Sequence, residues 1–246
     1  MPGYRRSAVG AKRKRASVPL KRKRYRAVRT HRSGVSTGSV QMQMLQKAFP
    51  TRWRRPFNYV DKITINPPAS GLVAFHNFSC NSLFDPDRSG TGHQPMGFDE
   101  LLGTVYDHYT VKKARISVTF SNDQADPATS AIVGIVMRDQ PTGGSSDVTT
   151  IIERGDVKWG ILGSGYSGNS SCTITMDVDV AKWLGRYKGV LADDTLRGSS
   201  TGNPSEECYF KVFAAGIGTG DPPVLDALVT ITYDAYLSEP RPLVQS

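Results

Sequence analysis

Apolar and polar residues alternate with a period of two in three stretches of this chain. In residues 115–121, Ile116, Val118 and Phe120 interleave with Arg115, Ser117, Thr119 and Ser121, the pattern of a strand with one buried face. Residues 172–180 repeat it, with Cys172, Ile174, Met176, Val178 and Val180 on one side and Thr173, Thr175, Asp177 and Asp179 on the other. Near the C-terminus Val229, Ile231, Tyr233 and Ala235 alternate with Thr230, Thr232 and Asp234. Less regular apolar runs at residues 59–65, 72–80, 131–137, 157–162 and 209–215 bring the total to about eight strands. Clusters such as Asn66-Pro67-Pro68 and Asp221-Pro222-Pro223 punctuate them. One segment follows a helical period instead: Phe98, Leu101, Leu102 and Val105 fall at i, i+3, i+4 and i+7, with Asp99 and Glu100 in the first turn. Shorter helical pieces are expected at residues 148–153 and 181–184.

This pattern predicts an all-β domain over residues 56–246: a single eight-stranded antiparallel jelly roll with short helices in its loops. The connections are too long for a seven-strand sandwich of about 100 residues. No apolar run approaches the roughly 18 residues that span a bilayer, so no membrane insertion is expected. The basic start has no apolar stretch behind it, so it does not read as a secretory signal.

Charge divides the chain in two. Residues 1–60 hold 17 Lys and Arg and no acidic residue. Of the 31 basic residues in the whole chain, 14 are therefore left for residues 61–246, against all 22 acidic ones. A +17 arm is thus joined to a −8 body. Within the arm, Lys12-Arg13-Lys14-Arg15 and Lys21-Arg22-Lys23-Arg24 repeat one tetrapeptide, flanked by Arg5, Arg6, Arg26, Arg29 and Arg32. Charge blocks this dense repel one another and cannot pack, so residues 1–55 are expected to be a disordered arm that binds a polyanion. Two uses compete for the same accessible cations: neutralising nucleic acid, with all of these residues, and engaging nuclear import receptors, with the two tetrapeptides. Phosphate contacts of this kind are sequence-independent and salt-sensitive. Tyr4 and Tyr25 offer rings for unpaired bases. A last cluster, Arg52-Trp53-Arg54-Arg55, interleaves an aromatic with guanidinium groups directly before Pro56. Its three arginines read either as further nucleic-acid contacts or as neighbours of a Trp53 that docks the arm onto the body.

Catalytic and cofactor chemistry is poorly represented. Gly163-Ser164-Gly165-Tyr166-Ser167-Gly168 satisfies G-x-G-x-x-G, but a strand pattern follows it where a dinucleotide site needs a helix N-terminus. An inter-strand loop is expected there. His31, His76, His93 and His108 have no metal-ligand spacing, so no cofactor or metal is expected. Asp85, Asp87, Asp193 and Asp194 are paired carboxylates in loops, read as turn formers ahead of a divalent-cation site. Cys80, Cys172 and Cys208 are odd in number and widely spaced, which argues against a disulfide framework and for synthesis in a reducing compartment. No serine or cysteine sits in a nucleophile motif, and no enzyme is expected.

Three segments carry a resemblance. They are the run Phe78-Ser79-Cys80-Asn81-Ser82-Leu83-Phe84-Asp85-Pro86-Asp87, the run from Gly90-Thr91-Gly92-His93 through Gln94-Pro95-Met96-Gly97-Phe98-Asp99-Glu100-Leu101, and Tyr106-Asp107-His108-Tyr109-Thr110-Val111. Together they resemble the capsid proteins of circular Rep-encoding single-stranded DNA (CRESS-DNA) viruses. The resemblance implies a virion shell of about sixty identical jelly rolls, with arms directed inward to a single-stranded DNA genome, assembly in the host nucleus, and an attachment partner on the host that it does not identify. The coat of a small RNA virus shares the arm-plus-jelly-roll design and stays open as an alternative. So does a nuclear nucleic-acid-binding protein that never assembles, which would need a basic patch on the body. A cupin-like enzyme stands behind both, because it lacks histidine ligands.

Overall fold

The computed structural model describes residues 48–69, 72–122, 130–142, 147–164, 169–217 and 221–242. The strands are β1 (Arg52–Ile65), β2 (Ala74–Ser79), β3 (Tyr106–Ser121), β4 (Ala131–Arg138), β5 (Val157–Leu162), β6 (Ser171–Asp179), β7 (Gly198–Ser199), β8 (Tyr209–Gly216) and β9 (Leu225–Pro240). Short helices α1 (Phe98–Leu101), α2 (Val148–Glu153) and α3 (Val180–Trp183) lie between them. One sheet has the order β1-β9-β3-β6, with β7 attached to β3, and the other has β2-β8-β4-β5. Every pairing is antiparallel. Apart from the β4–β5 hairpin, successive long strands alternate between the two sheets, which is the double Greek-key wiring of a jelly roll.

The inner faces are those the alternation marks. Ile116, Val118 and Phe120 of β3, Val229, Ile231 and Tyr233 of β9, and Ile174, Met176 and Val178 of β6 pack against Phe78, Val133, Ile135, Phe210 and Val212 of the opposite sheet. Among the described residues four fully buried tyrosines belong to this core, and each hydroxyl has a partner, as burial of a polar tip requires. Tyr233 donates to the Ser79 carbonyl at 2.8 Å, Tyr106 to the Pro50 carbonyl at 3.0 Å and Tyr59 to Asp61 at 2.7 Å. Tyr109 lies 3.1 Å from the Ser82 hydroxyl and accepts from Phe84 N at 3.2 Å.

The helix is shorter than its pattern, and two further details extend the expected picture. The helix expected from Phe98 to Val105 is the single turn α1, because Leu102 already has extended angles and Gly103 adopts φ 81°; β3 begins directly afterwards at Tyr106. A ninth strand, β7, appears where Gly198 lies over Tyr109, so close that a Cβ would meet the ring at 2.2 Å. The boundary expected between residues 55 and 56 falls inside β1, which starts at Arg52 opposite Ser238. Pro56 is tolerated because β1 is an edge strand and needs no donor on its outer side.

Candidate nucleic-acid interface

The interface proposed from the sequence is the basic arm and its root. Arg5, Arg6, Lys12, Arg13, Lys14, Arg15, Lys21, Arg22, Lys23, Arg24, Arg26, Arg29 and Arg32 lie outside the described residues. The root does not. Phe49 and Trp53 each tilt against Tyr106 with ring centroids 6.4 Å apart, and the Tyr106 hydroxyl ties down Pro50. The reading in which Trp53 docks the chain onto the body is therefore the one the geometry matches.

The three root arginines have different surroundings. Arg54 makes a two-point contact with Asp234, Nε donating at 2.7 Å and Nη2 at 2.5 Å. That hydrogen bond and the adjacent charge raise the guanidinium pKa and hold the Asp234 carboxyl below its usual range. Arg55 stacks on the chain's own rings, 4.7 Å from Phe57 and 5.5 Å from Trp53. Arg52 is exposed and borders a crevice of about 100 Å³ shared with Asp193, Asp194, Arg197 and Glu239. The interleaving of aromatic and guanidinium groups is thus largely satisfied within the chain for Arg54 and Arg55. Asp234 was missed in the sequence because it sits on the polar side of the β9 alternation, where nothing distinguishes it from its neighbours.

Several cations of the body are engaged by carboxylates. Among the described residues Lys113 lies 3.9 Å from Asp179, Arg115 3.7 Å from Asp177, Arg88 2.5 Å from Asp85 and Arg241 2.6 Å from Asp107. Arg186 is held by Asp193 and Glu206, and Arg197 by Asp194 and Glu239. The hollow of about 910 Å³ on the outer side of the β1-β9-β3-β6 sheet is lined by Lys113, Arg115 and Lys182 but equally by Asp156, Asp177, Asp179 and Asp234. Mixed lining of this kind gives no single-sign surface for a polyanion.

The remaining candidates resolve into structural roles. Asp193 accepts from Thr195 N at 3.1 Å and from its hydroxyl at 2.6 Å, capping a 3-10 turn over Asp194–Leu196. Asp87 is buried; it receives His76 Nε2 at 2.7 Å and the amides of Ser89 and Gly90 at 3.0 Å each. Burial alone would raise its pKa, but these bonds outweigh it and hold the carboxyl below its usual range. His93 bridges the Gln94 and Val60 carbonyls at 2.8 and 3.1 Å, and His108 faces Glu239 at 3.3 Å. Among the described residues no three His, Cys, Asp or Glu side chains are grouped to hold a metal, and no helix is long and apolar enough to cross a membrane. After Gly163 and Ser164 the chain enters strand β6, not a helix; residues 165–168 of that motif lie outside the described residues.

No protein-family model matches the sequence, and no curated protein matches it. Among solved structures, the 60-mer BFDV capsid protein overlaps 80% of this chain and 100% of its own at 9% identity, with a TM-score of 0.42. The empty head of turnip yellow mosaic virus overlaps 80% and 87% at 12% identity and 0.41. The semi-empty virus-like particle of the nodavirus of the giant freshwater prawn Macrobrachium rosenbergii overlaps 80% and 100% at 10% identity and 0.41. Superpositions this loose say nothing about what the chain binds.

Proposed function

We propose that this chain is the capsid subunit of a small single-stranded DNA virus. It assembles with copies of itself into a closed icosahedral shell of about sixty subunits and packages its genome through the basic arm. The observation that carries this reading is the union of two opposite parts in one chain: 17 cations without an acidic residue in positions 1–60, and a jelly roll in residues 61–246 whose 22 acidic residues outnumber its 14 basic ones. A wall of net −8 leaves nucleic acid to the arm alone. Sixty arms would bring about a thousand positive charges to the interior, matching a comparable number of phosphates at one per nucleotide. The same Lys12–Arg15 and Lys21–Arg24 blocks would engage nuclear import receptors before assembly.

A nuclear nucleic-acid-binding protein that never assembles is disfavoured, because it needs a basic patch on the body, whereas residues 61–246 are net acidic and two of the three root arginines are engaged within the chain, Arg54 by Asp234 and Arg55 on Trp53 and Phe57. Deletion of residues 1–32 tests the division of labour. Particles that form but contain no nuclease-protected nucleic acid are the expected result; packaging that survives the deletion would remove the arm from the account.

A further inference from the structure

Cys80 follows the last residue of β2 and Cys208 precedes the first residue of β8. They extend that ladder one rung past the Ser79–Tyr209 pair. Cys80 N donates to the Cys208 carbonyl at 2.7 Å. The return bond is replaced by Asn81, whose Oδ1 accepts from Cys208 N at 3.0 Å and whose Nδ2 donates to the Glu206 carbonyl at 2.8 Å, so one side chain holds the two strand ends together. Hydrogen-bonded antiparallel neighbours have Cα atoms about 5.5 Å apart, within the roughly 4.4–6.8 Å that a disulfide spans. Cross-strand partners point to the same side of a sheet. Here that side is the core: both cysteines are fully buried, in step with the inward pair Phe78 and Phe210. In the reduced chain each thiol has its own acceptor, Cys80 Sγ donating to Met137 Sδ at 3.7 Å and Cys208 Sγ to Asn81 Oδ1 at 3.8 Å, so bond formation needs the two side chains to turn toward each other. Cys172 is elsewhere, on β6 with its sulfur toward Gly160.

We propose that Cys80 and Cys208 are an oxidation site. They form an intramolecular disulfide when the chain meets a disulfide donor of the oxidised-glutathione class, with Cys172 taking no part. One thiol loses its proton and attacks a sulfur of the donor, releasing one glutathione thiolate. The second cysteine loses its proton to solvent and displaces the remaining glutathione from the mixed disulfide. Two protein S–H bonds and the donor's S–S bond are lost; one protein S–S bond and two glutathione S–H bonds are gained. Burial raises the Cys80 thiol pKa, so exchange runs through local opening and is slow. The same burial shields the finished bond from reductant. The bond would close a loop of more than half the chain, joining the end of the edge strand β2 to its neighbour β8, and so it acts against unfolding.

The site does not depend on the proposed function, and its test does not use assembly. The full chain, folded and reduced, is incubated with oxidised glutathione, alkylated, digested without reductant and mapped by mass spectrometry. The expected product is a peptide pair joined through Cys80 and Cys208, with the melting temperature raised over the reduced protein and no such oxidation-dependent rise in Cys80→Ala or Cys208→Ala. Recovery of both cysteines as alkylated thiols, or a bond from either one to Cys172, would overturn the proposal. The mapping on the unaltered chain decides this even where a variant folds poorly.

Discussion

The outer faces of the two sheets are built to opposite rules. Across β1-β9-β3-β6 the outward rows are largely polar, with Val60 and Leu228 as exposed exceptions: Asn58, Thr232, Arg115 and Asp177 lie side by side, and the Thr119 and Thr173 hydroxyls meet at 2.9 Å. Across β2-β8-β4-β5 the outward rows are largely apolar. Phe213 and Val136 are fully buried there beneath Ile151 of α2, with Phe75, Ile132 and Val157 against them, while Trp159 and Ile161 on the edge strand β5 stay half exposed. The comparison teaches that one face of this domain is finished in water by hydrogen bonds and cross-strand charge pairs, while the other needs a cover. Helix α2 supplies part of that cover, started by Asp147 accepting from Thr149 N at 3.0 Å.

The widest separation between the faces is expected from two truncations. Phe213→Ala should cost about 3–5 kcal/mol, the range for emptying a buried aromatic site. Thr232→Ala, outward on the other sheet, should stay within about 0.5 kcal/mol. Denaturant unfolding reads both, and equal costs would break the comparison. Gly134→Ala comes next. Its Cβ would meet the Phe213 ring at 2.4 Å and the Lys158 carbonyl at 2.6 Å, so a change that ordinarily favours a strand should instead cost about 1–3 kcal/mol. A neutral outcome would mean that the apolar face is not packed as described.

Asp87→Asn is expected to cost about 1–3 kcal/mol, because the buried carboxylate holds His76 and two amides of the loop after β2. The sign of its pH dependence follows from its lowered pKa. The unfolded carboxyl, near 3.9, binds a proton more readily than the folded one. The contribution of Asp87 is therefore present above that value and is lost as pH falls through the folded pKa. Melting curves between neutral pH and pH 3 should show a shallower acid loss in Asp87→Asn than in the unaltered chain, and identical slopes would exclude the assignment. The smallest effect on folding is expected from replacing Lys12, Arg13, Lys14 and Arg15 together by Ala. The melting temperature should not move, while the slope of log K against log salt for single-stranded DNA should fall by about 3, at roughly 0.7 per lost phosphate contact.

The same contrast explains what the sequence discloses. β6 and the second half of β3 announce themselves because one face is polar, and α2 spans residues 148–153 as its pattern suggests. β8 carries no alternation, since Tyr209 to Ala215 are buried on both sides. It is recognisable only as an apolar run. The first four residues of β1 are hidden by charge: Arg54 is exposed for its pairing with Asp234, and Arg55 covers rings instead of facing water. The two-residue β7 has no pattern to read; it follows from a close approach of Gly198 to Tyr109. The roles of Asp87 and Asp193 depend on partners distant in sequence or set by turn geometry, which spacing alone does not reveal.

Electron microscopy of particles assembled from the full chain, combined with nuclease protection of their contents, tests the central claim most directly. Closed shells of uniform size that protect single-stranded DNA are the predicted result. Monomers at every salt concentration, with nucleic acid fully open to nuclease, would contradict it.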